Sequence, residues 1–208
     1  NGQGEWEEVT SIVIPESVNR IDQSAFIGCT LLPSINIPSN VDTLESHVFK
    51  DCISLSSVTL SGVITTIEQY AFYNCVSLTN IDHIIKDAVT IGEAAFIRCD
   101  GLSTVEFGTS LTKLDKDAFM DCQSLTKATF KSDDVKFGIG VFRNCINLTD
   151  VTLPVNASRI GDYMFYNCED LETFTIGDSV KEIGYRAFMN CFKLSITLNN
   201  LNWLSSNT

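Results

Sequence analysis

The segment from Cys168 to Cys191 reads CEDLETFTIGDSVKEIGYRAFMNC and decides the fold of the whole chain. It begins and ends with cysteine, and the 208-residue chain has eight cysteines, each 23 or, once, 24 residues from the next. A phenylalanine lies three residues before every cysteine, and a leucine lies three residues after it. A spacing that persists through the whole chain indicates an internal repeat, in which each copy is one structural unit.

The template of this repeat is C-x-x-L-x-x-[IV]-x-[IL]-[PG]-x-x-[VL]-x-x-[IL]-x-x-x-A-F-x-[ND]-C. In its first part, from Leu171 to Ile176, apolar and polar residues alternate, which is typical of a strand with one buried face. A glycine or proline then stops the strand, as Gly177 does. Apolar residues spaced by three follow and lead to Ala187 and Phe188, and this spacing predicts a short helical or 3₁₀ turn. One repeat is therefore a strand, a turn and a return path.

The repeats predict a single array over residues 1–208, with about eight to nine rungs. Residues 6–28 form a degenerate first repeat, with Trp6 at the cysteine position. Residues 29–191 contain seven repeats of 23 or 24 residues, and residues 192–208 form a degenerate last repeat or a cap. Because a rung of this size cannot bury its apolar face alone, the rungs must stack with parallel strands about 4.8 Å apart.

One rung, between Cys75 and Cys99, carries a one-residue insertion. The extra residue lies near residues 84–88, and we expect it to bulge from the stack. His83 occupies an inward strand position directly beside it. We predict a local register shift that turns Ile84 inward in its place.

The repeat resembles that of the BspA-like leucine-rich repeat family, through its L-x-x-[IV]-x-[IL]-P strand, its I-x-x-x-A-F segment and its N-C-x-x-L ending. Residues 178–191 carry the motif most fully, and the likeness extends from Trp6 to Leu201. The resemblance implies an α/β repeat solenoid, mainly β: a right-handed superhelix with a parallel sheet on its concave face and short helical or 3₁₀ turns on the return path. It also implies a surface protein, commonly an adhesin that binds host proteins or other cells, and it brings no catalytic residues.

The cysteines share one repeat position, flanked by phenylalanine and leucine, so they form a column along the array. We predict buried free thiols that act as small hydrophobic side chains. Disulfides between neighbouring rungs are the alternative: the strand spacing brings the Cα atoms close enough, but parallel side-chain directions make the required torsion unfavourable. Metal binding is not expected, because zinc sites use clustered cysteine or histidine ligands and no two cysteines here are closer than 23 residues.

Composition and charge exclude several classes of protein. Hydrophobic residues make up 44% of the chain and charged residues 19%, which excludes an intrinsically disordered chain. Fourteen basic against 26 acidic residues give a net charge of −12, so binding to nucleic acid or to anionic lipid is not expected. No apolar stretch approaches the roughly 20 residues that a membrane-spanning helix needs, and we predict no membrane insertion.

Residues that could carry catalysis are scarce. The two histidines are His47 and His83, and His47 lies at a variable repeat position that is typical of an ordinary surface residue. The sequence contains no G-x-S-x-G, H-E-x-x-H, Walker A or G-x-G-x-x-G motif. We therefore predict that the chain is not an enzyme and has no cofactor, metal or catalytic residues.

The first candidate binding surface is the row of residues at the outward centre of each strand, which we call the strand row. Solenoids bind partners on such extended faces, although threonine is also simply a favourable strand residue. The row has no aromatic residues, so it lacks the stacking platforms of a dedicated sugar or base reader. It comprises Asn36, Thr59, Asp82, Glu106, Thr129, Thr152 and Thr175.

The second candidate surface is the row of residues that directly follow each repeat phenylalanine, which we call the Phe-adjacent row. If exposed, it would be a mixed apolar band suited to protein contact, although partial burial against the next rung is the commoner outcome. Its apolar and aromatic members are Tyr73, Ile97, Met120, Tyr166 and Met189, and Ile27, Lys50 and Arg143 continue it.

These observations favour a noncatalytic, extracytoplasmic binding module, secreted or on a cell surface, that contacts a protein in the manner of an adhesin. A signal peptide or anchor is not visible in the chain. A glycan-binding accessory protein and a structural spacer within a larger surface protein are the alternatives. An intracellular scaffold is less favoured, although free thiols suit a reducing compartment. The sequence does not determine the ligand or the oligomeric state.

Overall fold

The computed structural model describes residues 8–198. They form a parallel β-solenoid of about seven turns, which confirms the predicted fold class. The elements in chain order are β1 (Ser34–Ile37), β2 (Thr43–Leu44), β3 (Ser57–Leu60), β4 (Thr66–Ile67), α1 (Asp82–Ile85), β5 (Thr90–Ile91), β6 (Thr104–Phe107), β7 (Lys113–Leu114), β8 (Lys127–Phe130), β9 (Lys136–Phe137), β10 (Asp150–Thr152), β11 (Arg159–Ile160), β12 (Thr173–Ile176), β13 (Glu182–Ile183) and β14 (Ser195–Leu198).

The longer strands come from the alternating part of the template. Each pairs in parallel with the equivalent strand of the next rung, so that Ile35 lies beside Val58 and both point into the core. The pairing is not continuous, because these strands form three separate sheets, β1–β3, β6–β8–β10 and β12–β14. The prediction of parallel strands is confirmed. The two breaks between the sheets were not predicted from the sequence.

The two-residue strands form a second ladder that the sequence pattern did not predict. They lie where apolar residues are spaced by three, and they pair in parallel in the order β2–β4–β5–β7–β9, with β11–β13 as a separate pair. Most of their second residues, among them Leu44, Ile67 and Ile91, are fully buried, whereas Phe137 and Ile183 are partly buried. This segment is extended rather than turned because backbone pairing with the neighbouring rungs outweighs the local three-residue spacing.

The insertion replaces a strand with the short helix α1. Residues Ile84 and Ile85 are fully buried, so the register shift predicted for Ile84 is confirmed. The expected bulge is wrong: the segment turns its apolar residues into the core. A helix rises about 1.5 Å per residue and a strand about 3.3 Å, so one helical turn takes up the extra residue without lengthening the rung. His83 stays outside the core, with Nε2 hydrogen-bonded to the carbonyl oxygen of Val58.

The return path consists of turns of the i→i−3 type that do not continue into a helix. In the first described rung, Ile27 N–H donates to the carbonyl oxygen of Ser24, and Cys29 N–H donates to that of Phe26. Ser24 and Gly28 have φ angles of 60° and 72°. Left-handed residues interrupt a right-handed helix, so each turn ends after one hydrogen bond.

The backbone conformation explains why asparagine or aspartate precedes most of the cysteines. These residues occupy the position of Gly28 and have positive φ, as in Asp51 at 62° and Asn144 at 60°. Asparagine and aspartate tolerate this conformation better than most residues other than glycine. Their side chains also join neighbouring rungs, as where Asn144 Nδ2 donates to Asp121 Oδ1 over 2.7 Å.

Phenylalanine and cysteine form two adjacent columns in the core. From Phe26 to Phe188, successive rings stack with centroids 5.0 to 5.9 Å apart. Every cysteine from Cys52 to Cys191 donates its thiol hydrogen to the phenylalanine carbonyl oxygen of the preceding rung, with Sγ···O distances of 3.0 to 3.2 Å. All eight cysteines are free thiols, as predicted. They are hydrogen-bond donors as well as small hydrophobic groups.

Part of the predicted domain division lies outside the described residues. Trp6 precedes them, and residues 199–208, which belong to the predicted last repeat or cap, follow them. The division into one array with a degenerate repeat at each end stays a prediction. The hand and curvature that the family resemblance implies also stay predictions.

We predict that two glycines at the same repeat position respond oppositely to alanine. A Cβ on Gly108 would overlap the carbonyl oxygen of Lys86 at the end of α1, whereas a Cβ on Gly177 would meet no atom within 4 Å. Gly108→Ala should lower the free energy of unfolding by about 1–3 kcal/mol. Gly177→Ala should leave it unchanged or raise it by up to about 1 kcal/mol. Urea unfolding of both variants tests this, and equal losses would contradict the close approach at Gly108.

We also predict a loss of stability at alkaline pH that depends on the cysteine column. Burial, followed by repulsion from the Cys29 thiolate, raises the pKa of Cys52 from 9.0 to about 12. Thiols in the unfolded chain ionise near their ordinary pKa, while the buried native thiols stay protonated. The free energy of unfolding therefore has its full value below about pH 9 and falls as the pH rises toward 12. Urea unfolding under a reductant between pH 8 and 11 measures the slope. Cys52→Ala should reduce it by about 1.4 kcal/mol per pH unit, and an unchanged slope would contradict the buried thiol.

Candidate binding surfaces

The strand row lies largely where the sequence predicts. Asn36, Thr59, Glu106, Thr152 and Thr175 are exposed on one face of the solenoid, and Thr129 is half-buried there. Strand register places Asn36 beside Thr59 and sets Glu106, Thr129 and Thr152 next to one another.

Asp82 does not belong to the strand row, which corrects the prediction. It is the first residue of α1 and is half-buried, because the insertion converts this strand into a helical turn. Its Oδ1 accepts a hydrogen bond from the backbone N–H of Glu106 over 3.0 Å. Asp82 therefore covers the unpaired edge of β6 and is not part of a continuous polar row.

Several polar side chains of the strand face bind one another. Thr59 Oγ1 donates to Asn36 Oδ1 over 2.9 Å. Glu106 forms an ion pair with Lys131 at 2.5 Å. These exposed contacts add little stability, but they occupy groups that a partner would otherwise bind.

The Phe-adjacent row lies on the return path and is partly buried, which was the commoner expected outcome. Tyr73, Ile97, Met120 and Tyr166 are half-buried, and Met189 is 43% exposed. The row is therefore a shallow apolar band that is accessible along its edge.

Two aromatic clusters extend this band, and the sequence analysis missed their size. The first aromatic cluster is His47, Tyr70 and Tyr73, in which the rings of His47 and Tyr70 stack 4.9 Å apart. The second aromatic cluster is Tyr163, Tyr166 and Tyr185, in which Tyr163 contacts the other two rings at 5.7 and 5.5 Å. Together they contain all five tyrosines of the chain. Sorting the tyrosines by repeat position would have revealed this, because all of them lie in the last part of the template.

Cationic side chains lie against the tyrosine rings. Lys50 Nζ is 5.1 Å from the ring centre of Tyr73. The guanidinium groups of Arg143 and Arg186 lie 5.8 and 4.9 Å from the rings of Tyr166 and Tyr185. Cation–π contacts of this kind orient long side chains at a surface. Each cluster therefore includes at least one cationic side chain, on a chain that is acidic as a whole.

Buried polar groups accompany the clusters. His47, which was predicted to be an ordinary surface residue, is half-buried, and burial followed by the charge of Lys50 lowers its pKa, so the ring is neutral at pH 7. Asp117 lies at the same repeat position as His47, and burial raises the pKa of its carboxyl group. Neither Asp117 Oδ1 nor Arg143 Nε has a hydrogen-bond partner among the described residues.

A cleft separates β10 from β12 on the strand face. Its volume is about 550 Å³, and Thr152 and Thr175 of the strand row both line it. The structure therefore brings these two predicted residues together across a break in the sheet, whereas paired strands join Asn36 to Thr59 and join Glu106, Thr129 and Thr152.

Residues 8–198 contain no group of three or more histidine, cysteine, aspartate or glutamate side chains arranged to hold a metal ion. In the same part of the chain, no helix has the length and apolar character needed to cross a bilayer.

Family comparison agrees with the repeat geometry. A model of the BspA type leucine-rich repeat region matches six copies of the repeat, over residues 5–86 and 83–195. The chain belongs to the BspA-type leucine-rich repeat family. Repeats of this family are typically noncatalytic binding modules. No curated protein matches the chain.

Solved structures of bacterial leucine-rich repeat proteins are similar to this BspA-type chain. A leucine-rich repeat protein from Bacteroides ovatus is 30% identical, with a TM-score of 0.81, over 88% of this chain and 47% of that one. A second, from Eubacterium ventriosum, is 27% identical, with a TM-score of 0.71, over 85% and 47%. A leucine-rich cell surface protein from Faecalibacterium prausnitzii shares the fold at 20% identity, with a TM-score of 0.51, over 96% and 68%. The chain thus spans about half the length of the Bacteroides protein.

Proposed function

We propose that this chain is a noncatalytic, adhesin-like binding module, secreted or displayed on a cell surface, and that a protein partner binds across its two aromatic clusters. The family and the description of the Faecalibacterium protein as a cell surface protein support the location. The observation that carries the binding surface is the gathering of every tyrosine of the chain on the return path, next to Lys50, Arg143 and Arg186.

The composition of this surface matches that of protein interfaces. Tyrosine, arginine and methionine are enriched at protein interfaces, and tyrosine and arginine are common among the residues that dominate binding energy. Tyr73 and Tyr166 are four rungs apart, so at the strand spacing the clusters are separated by about 19 Å. That span fits a standard interface, which buries about 800 Å² on each partner.

The strand row is the weaker candidate for protein contact. Its exposed residues are small and polar, and threonine is under-represented among residues that dominate interfaces. Glu106 already pairs with Lys131. A partner on this face would have to displace these contacts and would gain little apolar burial.

The test is binding of the purified chain to immobilised extracellular-matrix proteins and mucins. We expect saturable binding to at least one of them. A Tyr73→Ala and Tyr166→Ala double variant should weaken it by about 30-fold or more, since a dominant interface residue contributes about 2 kcal/mol. A Glu106→Ala and Thr129→Ala double variant on the strand row is the matched control and should bind normally.

Thermal melting by circular dichroism checks that each variant is folded. If no protein retains the chain, the adhesin-like role is wrong and a spacer within a longer surface protein becomes the better account. If the strand-row variant loses binding and the tyrosine variant keeps it, the partner binds on the other face.

A further inference from the structure

The cleft between β10 and β12 arises where the hydrogen-bonded stacking of strands fails. In closed rungs, the residue after the strand donates its N–H to the preceding rung, as Ser61 does to Ile37 over 2.9 Å and Lys131 does to Phe107 over 3.0 Å. The equivalent bond from Gly177 to Leu153 is not present among the described residues. β10 and β12 are therefore not joined by a ladder, and the Gly177 N–H has no partner on β10's rung among the described residues.

The strand before the cleft is shorter than its neighbours. β10 has three residues, whereas β6, β8 and β12 have four. The residue that β10 lacks is Leu153, whose carbonyl oxygen would accept the bond from Gly177. Pro154 does not explain the break, because Pro38 holds the same repeat position and β1 before it still pairs with β3 over all four residues.

The cleft combines hydroxyl groups with an apolar wall. Its volume of about 550 Å³ falls within the range of small-molecule sites, about 300 to 1,000 Å³. The polar lining residues are Asp150, Thr152, Thr173, Thr175, Asp178 and Ser179. Leu153, Val155 and Val180 are its larger apolar lining residues, and Val155 is 69% exposed whereas Val180 is almost fully buried.

The charged residues at the cleft restrict the charge that a ligand can carry. None of the described residues that line it is basic. Asp150 is paired at the rim with Lys127 over 2.7 Å, and Lys181 binds the backbone carbonyl oxygen of Asp178 rather than its carboxylate. The carboxylates disfavour an anionic ligand, because their charge would repel it in a partly enclosed site.

We propose that this cleft binds an uncharged saccharide of about two or three sugar units. Every sugar hydroxyl both donates and accepts, so sugar hydroxyls satisfy the carboxylates, the threonine hydroxyls and the Gly177 N–H together. A lysine side chain of a partner would donate only and would leave the Gly177 N–H without an acceptor. The apolar wall at Val155 covers one side of the ring, in place of an aromatic platform. This site is separate from the aromatic clusters, and the inference does not rest on protein binding there.

The experiment uses the complete chain and isothermal titration calorimetry. The neutral probes are maltotriose, cellotriose, xylotriose, mannotriose and N,N′-diacetylchitobiose. Oligogalacturonate is the anionic probe and tetralysine the cationic one. We expect saturable binding of at least one neutral probe and none of the charged probes.

Isosteric variants then locate the site. Thr152→Val and Thr175→Val remove one hydroxyl each and should weaken saccharide binding about five- to tenfold. Thr129→Val makes the same change at the equivalent position of a closed rung, and it should bind like the unmodified chain. Thermal melting establishes that all three variants fold, and retention on the protein panel should be unchanged in all three.

Three results would overturn the proposal. The first is failure of every neutral probe to bind. The second is binding of tetralysine alone, which would make the cleft a site for a basic peptide. The third is equal weakening by Thr129→Val, which would place recognition along the whole strand face instead of in the cleft.

Discussion

Hydrogen bonding between rungs is the constraint on which the rest of this structure depends. A single rung can neither bury its apolar face nor satisfy its backbone, so every rung completes the one before it. The bonds run along the longer strands, along the two-residue strands and along the return path, where Ser24, Phe26 and Gly28 donate to the next rung. The phenylalanine stack and the thiol-to-carbonyl bonds also join successive rungs, although the thiols donate to the preceding rung.

The positions where the repeat is broken say more about function than the positions where it is regular. The regular positions build columns of phenylalanine, cysteine and leucine that only maintain the stack. The missing pairing between β10 and β12 leaves a cleft, and the insertion at α1 removes Asp82 from the strand face. The tyrosines occupy variable positions that the stack does not constrain, so they are free to serve a partner.

The sequence predicted the fold well because the pattern is repeated. One copy of an alternating segment is weak evidence, but the same alternation with Cys, Phe and Leu at fixed spacing leaves stacked rungs as the consistent solution. It could not show the second ladder, because two-residue strands have no periodicity of their own. It misplaced Asp82 because a helical turn and a strand can bury the same apolar residues, and only the available length decides between them.

By itself, the sequence determined the repeat length, most of the inward residues, the column of cysteines and the absence of familiar catalytic motifs, since each of these follows from residue type and spacing. Only the tertiary structure decided which residues meet across rungs. Thr152 and Thr175 face each other over a cleft, and Tyr163 contacts Tyr185, because the stacking of rungs brings together side chains about 23 residues apart in the chain. Such contacts depend on whether each strand pairs with its neighbour, and that depends on backbone hydrogen bonds that no single repeat contains.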